Sequence, residues 1–322
     1  MSPPAAHDLG GGRRARLDLE ERHRPRRDKR ASLEQAADLV RDGDHLAVGG
    51  TLYSRTPMAL LWGLLRSGRR GLSVSRPLTC YEAELLLVTG SAEVVVTSWM
   101  GIGLQWGLSP ILRHYVEEGL ATFEEWSHLA MGLRYKAGAM GVPFLPTYTM
   151  LGSDLMTERE VATIACPYTG ERLLAVPALN PDVAMIHVHR CDQYGNAQVD
   201  GYRHMDVDMA RAARTVVVSA ERIVSDTEIR ANPASTMLPH FAVDAVVEAP
   251  FGSYPHECYG LYEADIAHFD EYVAAQRADP VRAVHEYVER HVSTPHDFAT
   301  FLDGFGPERL ARQAQAASEL VP

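Results

Sequence analysis

Short apolar strands that alternate with helices along this chain predict an α/β fold, with a mainly parallel sheet flanked by helices. The 322 residues are 46% hydrophobic and 23% charged, which supplies enough apolar material for a sizeable core. Strand candidates recur at 45–48, 72–75, 93–97, 183–187, 215–218 and 243–247. We therefore expect a single domain over residues 28–322 that ends in surface helices.

The first helix is predicted to begin at Ser32, because Ser32 can cap it and Gln35 or its neighbour Glu34 can complete a capping box. It is expected to run to about Arg41. Further helices are predicted from Pro57 to 65 and over 82–88, 110–118, 124–140 and 208–214, followed by helices broken by proline over 266–318.

The first 27 residues differ in composition from the rest. They carry a triple glycine at 10–12 and seven arginines, with few large apolar residues. Such a segment cannot bury a core, so we predict a disordered, Arg-rich N-terminal tail over residues 1–27.

Charge and composition exclude several classes of protein. The net charge of −11 disfavours nucleic acid or an anionic membrane as the main partner. The four cysteines form no CxxC pair, no apolar stretch is long enough to cross a membrane, and no signal peptide is evident at the N-terminus. We expect a cytoplasmic protein with reduced thiols.

Two polar clusters have the residue types of metal ligands: His187, His189 and Asp192, and His204, Asp206 and Asp208. His187 and His189 point to the same face of a predicted strand, where hydrogen bonding explains them more simply than a metal ion. Asp206 or Asp208 is expected to cap the following helix. We predict no metal site, and no phosphate-binding glycine motif is present.

The segment from Asp42 to Pro57 carries the strongest functional signal. An apolar strand ends in Gly49-Gly50, and a polar loop then leads into a helix opened by proline. Glycine allows close approach of the backbone, and free amides near Gly50 and at the helix N-terminus can bind an anion or a thioester oxygen. The pattern predicts a ligand loop, with a packing requirement for the glycines as the alternative.

This segment resembles the signature of class I CoA-transferase α subunits. It keeps Asp42-Gly43, the apolar triplet 46–48, Gly49-Gly50 and Pro57, whereas Thr51 and Arg55 replace a phenylalanine and a glycine. Segments 124–147, 176–196 and 244–260 are similar to the α subunits of glutaconate CoA-transferases, and the resemblance covers about residues 29–270. It implies the NagB/RpiA/CoA-transferase-like fold.

The resemblance also implies a mechanism. Enzymes of this family form a glutamyl-CoA thioester on a glutamate of the β subunit, beside a Gly-rich turn. The nearest local match here, Glu118-Gly119, falls at a predicted helix end. The chain would therefore lack a catalytic nucleophile and be the α half of a heteromeric transferase with a β-subunit partner. CoA thioester would be its substrate, without a tightly bound cofactor.

Substrate or CoA binding is expected from Gly49, Gly50, Thr51, Ser54 and Arg55. Arg55 would pair with a substrate carboxylate or a CoA phosphate, with a structural ion pair as the alternative. His128 would assist near the acyl group. A related branch, the α subunit of a CoA-ester ring hydrolase of steroid breakdown, carries an acidic residue at or near the position of His128. Because histidine can also act as a general base, that activity stays open as an alternative. The non-enzyme alternative is a ligand-sensing α/β domain.

Overall fold

The computed structural model describes residues 25–320, so most of the predicted tail over residues 1–27 lies outside the described residues. Among the described residues, Arg26 pairs with Asp226 and stacks on the Tyr194 ring, 4.0 Å from its centroid. No helix within 25–320 is long and apolar enough to span a membrane.

The strands are β1 (His45–Val48), β2 (Leu72–Ser75), β3 (Ala92–Thr97), β4 (Thr122–Glu125), β5 (Phe144–Thr147), β6 (Thr163–Ala165), β7 (Arg172–Pro177), β8 (Val183–Asp192), β9 (Ala197–Gln198), β10 (Thr215–Val224), β11 (Thr236–Leu238) and β12 (Ala245–Glu248).

The α-helices are α1 (Leu33–Ala37), α2 (Met58–Ser67), α3 (Tyr81–Val88), α4 (Pro110–Glu117), α5 (His128–Met140), α6 (Asp154–Glu158), α7 (Asp206–Ala212), α8 (Asp226–Ala231), α9 (Ile266–Ala275), α10 (Pro280–Val288), α11 (Phe298–Asp303) and α12 (Pro307–Leu320). Short 3₁₀ turns cover Pro233–Ser235 and His240–Ala242, and a π-helical turn covers Glu289–Ser293.

The predicted parallel sheet is confirmed. Its parallel strands lie in the order β12-β10-β8-β1-β2-β3-β4, and β9 and β11 extend it with antiparallel pairs beyond the end of β1. Strands β5, β7 and β6 form a separate antiparallel sheet that the sequence did not indicate. Because the main strands run parallel, the loops after β1, β2, β3 and β4 open at one carboxyl edge of the sheet.

Residues of β1 show how the sheet separates two apolar cores. Leu46 and Val48 face a core that includes α2, α3 and the C-terminal helices, whereas Ala47 faces a second core with α5 and α7. This alternation follows from the two-residue period of a strand. The two cores fix β1, and therefore the point where its glycine loop begins.

Two predicted helix boundaries differ from the structure by more than two residues. The helix expected over 124–140 begins at His128, because Thr122–Glu125 pairs with β3 and the Ser127 hydroxyl accepts from the Ala130 amide as an N-cap. The first helix ends at Ala37 rather than near Arg41, although its capping box with Gln35 is present.

Candidate active site

The loop from Gly49 to Pro57 leaves β1 at the carboxyl edge, and most of its amides are already used within the chain. The Gly49 amide donates to Met185 O (2.8 Å), Thr51 N to Ser54 O (3.0 Å) and Arg55 N to Glu257 O (2.9 Å). At the start of α2, Ala59 N donates to Gly252 O (2.9 Å). The expectation of free amides for a ligand is therefore wrong at these positions.

Gly50 is required by the packing of the loop itself. Its φ is +69°, and a Cβ at this position would lie 2.1 Å from Ser54 O and 2.7 Å from Arg55 O. Its amide donates to Asp206 Oδ1 at 2.8 Å. The alternative of a packing requirement therefore describes this glycine.

Arg55 lies inside the chain rather than at an open surface. Its Nη1 donates to Asp206 Oδ2 and to His187 O, and its Nη2 donates to Tyr202 O, each at 2.8 Å. The side chain is 1% exposed and that of Asp206 0% exposed. The expectation that the guanidinium faces a substrate carboxylate or a CoA phosphate is therefore wrong. The Arg55 guanidinium instead forms a structural ion pair with Asp206.

Asp206 is the residue that sequence reasoning missed. It was expected as a possible cap of the following helix, but Met205 is the N-cap and makes no side-chain cap bond. The Asp206 carboxylate instead joins Gly50 to Arg55. Asp206 lies close to His204 in the sequence, but it is 151 residues away from Arg55, so sequence pattern does not predict the ion pair between Asp206 and Arg55.

Ser54 and His204 meet beside this ion pair. Their Oγ and Nε2 atoms are 2.9 Å apart, and both residues are partly exposed. Burial lowers the pKa of His204 to about 4, so its imidazole is neutral near pH 7. A neutral imidazole and a hydroxyl can exchange a hydrogen bond and still offer one to a ligand.

Backbone strain is concentrated around these residues. Leu52, Arg55, His204 and Phe251 have φ values of 47°, 51°, 50° and 55°, in the left-handed region that disfavours side chains. The backbones of Ser54 and Glu257 form a bridge, which places the first loop against the loop that follows β12. Strain of this kind persists where the surrounding structure holds it, often at functional sites.

The structure does not bring His128 to the glycine loop. His128 is exposed at the start of α5, and its Nδ1 lies 3.2 Å from Ser98 Oγ, just after β3. The ends of β1 and β4 are three strand spacings apart, about 14 Å. Within this chain, His128 is a separate polar feature of the same edge.

Comparison with known proteins now decides the family. The family model described as Coenzyme A transferase matches residues 30–249, more than half of the chain. The chain belongs to the coenzyme A transferase family.

Two relatives and one solved structure support the predicted α-subunit resemblance. The A subunit of glutaconate CoA-transferase from Acidaminococcus fermentans is 34% identical, over 71% of this chain and 77% of that protein. The cholesterol ring-cleaving hydrolase IpdA subunit of Rhodococcus jostii is 31% identical, over 84% of this chain and 94% of that protein. The crystal structure of glutaconate coenzyme A-transferase from A. fermentans matches with a TM-score of 0.84 and 30% identity, covering 88% of this chain and 95% of that one. The predicted CoA-transferase fold is confirmed.

A further relative differs in length. An uncharacterized protein of Archaeoglobus fulgidus is 37% identical over 91% of this chain, which spans 66% of that protein, just under two thirds.

In this coenzyme A transferase chain, Glu118-Gly119 is a helix end as predicted. Glu118 is the C-cap of α4, and Gly119 follows with a φ of +64°. A glycine with positive φ just after a helix is the usual way for a helix to end.

The buried carboxylate of Glu221 in this transferase chain is hydrogen-bonded by other groups of the same chain. The Glu221 carboxylate accepts hydrogen bonds from His187 Nε2 (2.7 Å), from the Tyr262 hydroxyl and from the amides of Phe251 (2.7 Å) and Gly252 (3.1 Å). This network fixes the loop after β12.

Two groups of described residues have ligand atoms within 4.8 Å of one another: Cys80, Glu82 and His256, and His187, Glu221 and Cys258. In the first, Glu82 Oε1 is 2.6 Å from Arg76 Nη1, and in the second, Glu221 is bound as described above. The absence of a metal site stays a prediction.

Proposed function

We propose that this chain is the α subunit of a heteromeric CoA-transferase, which moves CoA from an acyl-CoA to a carboxylic acid. The observation that carries the proposal is the extended likeness to the A subunit of glutaconate CoA-transferase in sequence and in fold. In this assignment, a β subunit supplies the nucleophilic glutamate. The buried carboxylates near the glycine loop support this division, because Asp206 and Glu221 are occupied within the chain.

The proposed reaction uses the partner's carboxylate as a covalent catalyst. That carboxylate attacks the thioester carbonyl, the C–S bond breaks, and an acyl-glutamyl anhydride and CoA thiolate form. The thiolate then attacks the glutamyl carbonyl, which releases the first acid and leaves a glutamyl-CoA thioester. The second acid reverses these steps and leaves with CoA.

The likeness to a glutaconate enzyme favours a dicarboxylic acid among the substrates. Arg55 no longer supports that choice, because its guanidinium is bound by Asp206 and two carbonyl oxygens. A cation that neutralises the distal carboxylate would therefore come from another residue or from the partner. Within the glycine loop, Ser54 would contact the thioester through its hydroxyl group, whereas the Thr51 hydroxyl is buried.

A second candidate is the α subunit of a CoA-ester ring-opening hydrolase in steroid catabolism. The likeness to the IpdA subunit of R. jostii favours it, together with the exposed position of His128 beside Ser98. In that reaction His128 would act as a general base on water. A hydrolase would consume a cyclic CoA ester without an acceptor acid.

The transferase proposal predicts where a covalent intermediate forms. This chain is co-expressed with a candidate β subunit, and the complex is incubated with acetyl-CoA and reduced with borohydride. Borohydride reduces a thioester to an alcohol and releases CoA, so we expect mass spectrometry to find one glutamate of the partner converted to the alcohol, and CoA transfer only from the complex.

Each chain alone, and the complex without acetyl-CoA, are the controls. A reduced glutamate in this chain, or full CoA transfer by this chain alone, would overturn the proposal that the nucleophilic glutamate belongs to the β subunit. Cleavage of a cyclic CoA ester without CoA transfer would favour the hydrolase.

A further inference from the structure

The loop over 202–206 is clamped to the glycine loop at both of its ends. Tyr202 O and the Asp206 carboxylate each accept a hydrogen bond from Arg55, at 2.8 Å. His204 lies midway between these two anchors and has a φ of +50°. Arg55 therefore holds His204 in a backbone conformation that a free loop would rarely adopt.

The same clamp positions Ser54, the neighbour of Arg55. Ser54 N donates to Thr51 O (2.8 Å) and Thr51 N to Ser54 O (3.0 Å), so the segment Thr51–Ser54 is a closed tight turn. The Ser54 hydroxyl meets His204 Nε2 at 2.9 Å. Among residues 25–320, the structure gives Ser54 Oγ no second hydrogen-bond partner.

The Ser54 hydroxyl and one amide are the donors that this turn still offers. The amides of Gly50, Thr51, Leu52, Ser54 and Arg55 are all engaged within the chain, whereas that of Tyr53 has no acceptor among the described residues. The Thr51 hydroxyl is buried and has no partner among the described residues. A developing negative charge at this edge would therefore meet the partly exposed Ser54 hydroxyl and at most one amide.

We propose that Ser54 donates a hydrogen bond to the oxyanion that forms from the thioester carbonyl, and that His204 is the positioning residue that orients it. His204 Nε2–H donates to Ser54 Oγ, which leaves the Ser54 proton directed at the substrate. As the carboxylate adds to the carbonyl, the oxygen gains charge and its hydrogen bond to Ser54 strengthens. No proton leaves Ser54, and it regains its former state when the C–S bond breaks. The inference rests on the proposed acyl-CoA chemistry.

The test uses the complex of this chain with its partner, with acetyl-CoA as donor and glutarate as acceptor. We expect S54A to lower kcat about 100-fold with little change in KM for acetyl-CoA, the loss typical of one oxyanion donor. H204A should lower kcat less, because Ser54 is then present but poorly oriented. H204Q should recover most of that loss, because the glutamine amide can donate from nearly the same position.

A double variant separates this role from a structural one. If His204 acts through Ser54, S54A/H204A is no slower than S54A, since the two losses are not additive. Ser318→Ala is the matched control: it also removes a serine hydroxyl, but from an exposed position on α12, outside the two loops of the site. It should keep full kcat, and all variants should bind the partner.

The outcomes are distinguishable. If the unmodified complex transfers no CoA across a panel of short mono- and dicarboxylic acids, the proposed function fails. If it does transfer CoA and S54A keeps full kcat, the role of Ser54 is overturned. If the losses of S54A and H204A multiply in the double variant, or if H204Q is as slow as H204A, the positioning role of His204 is overturned.

Discussion

Replacing Arg55 by alanine is expected to lower the free energy of unfolding by about 3–5 kcal/mol, because it leaves the Asp206 carboxylate buried without its cation. The pair has side chains 1% and 0% exposed, and the same guanidinium holds the carbonyls of His187 and Tyr202. Denaturant unfolding of the purified chain would measure the loss.

Arg230→Ala is the matched control for this prediction. Arg230 pairs with Asp226 at the same distance, 2.8 Å, but its side chain is 70% exposed. An exposed pair contributes only about 0–1 kcal/mol, so this change should be nearly silent. Equal losses for the two variants would contradict the structural role of Arg55.

The same variant also tests how Arg55 affects catalysis. Since its guanidinium is occupied within the chain, Arg55→Ala should lower kcat/KM for CoA transfer from acetyl-CoA equally with glutarate and with propionate as acceptor. A loss confined to glutarate would restore the direct contact with a substrate carboxylate that the sequence suggested.

Gly50→Ala is expected to damage both stability and CoA transfer. The added Cβ would lie 2.1 Å from Ser54 O, so the turn that carries the Ser54 hydroxyl has to move. We expect a cost of about 1–3 kcal/mol in unfolding free energy beyond the cost of the positive φ, as in other overpacked sites. Thermal or denaturant unfolding, together with CoA transfer by the complex, provides the measurement.

Gly68→Ala separates the clash from the backbone cost. Gly68 has a φ of +70°, nearly that of Gly50, but a Cβ there would meet nothing within 4 Å. It should therefore show the backbone cost alone and keep CoA transfer. Indistinguishable unfolding free energies for the two variants would refute the packing role of Gly50.

Local sequence patterns predicted the fold well where one segment determines its own structure. The apolar run 45–48 and the proline before Met58 were enough to place β1 and α2. Glu124 and Glu125 fall within a predicted helix, because the strand character of Thr122–Glu125 depends on pairing with β3, a contact that local pattern does not contain.

The candidate site was only half predictable for the same reason. The glycine loop carries a visible motif, and the comparisons confirm the family to which that motif pointed. The roles of Asp206 and His204 depend on contacts with residues about 150 positions earlier. No periodicity or capping rule connects two segments so far apart, so the sequence leaves Arg55 between a ligand and a structural ion pair and offers Asp206 only as a possible helix cap.

The position of β8 beside β1 also has a consequence for the order in which the protein is made. A ribosome that has released only the first 150 residues presents the glycine loop without His187, Tyr202 or Asp206, the three residues that bind the Arg55 guanidinium. Contacts between segments so distant in sequence slow folding, because a long stretch of chain has to be ordered before they form. Until the second half of the sheet is synthesised, the Arg55 guanidinium of the nascent chain lacks all three of these acceptors. We therefore expect the loop to acquire its final shape only after the second half of the chain has been released.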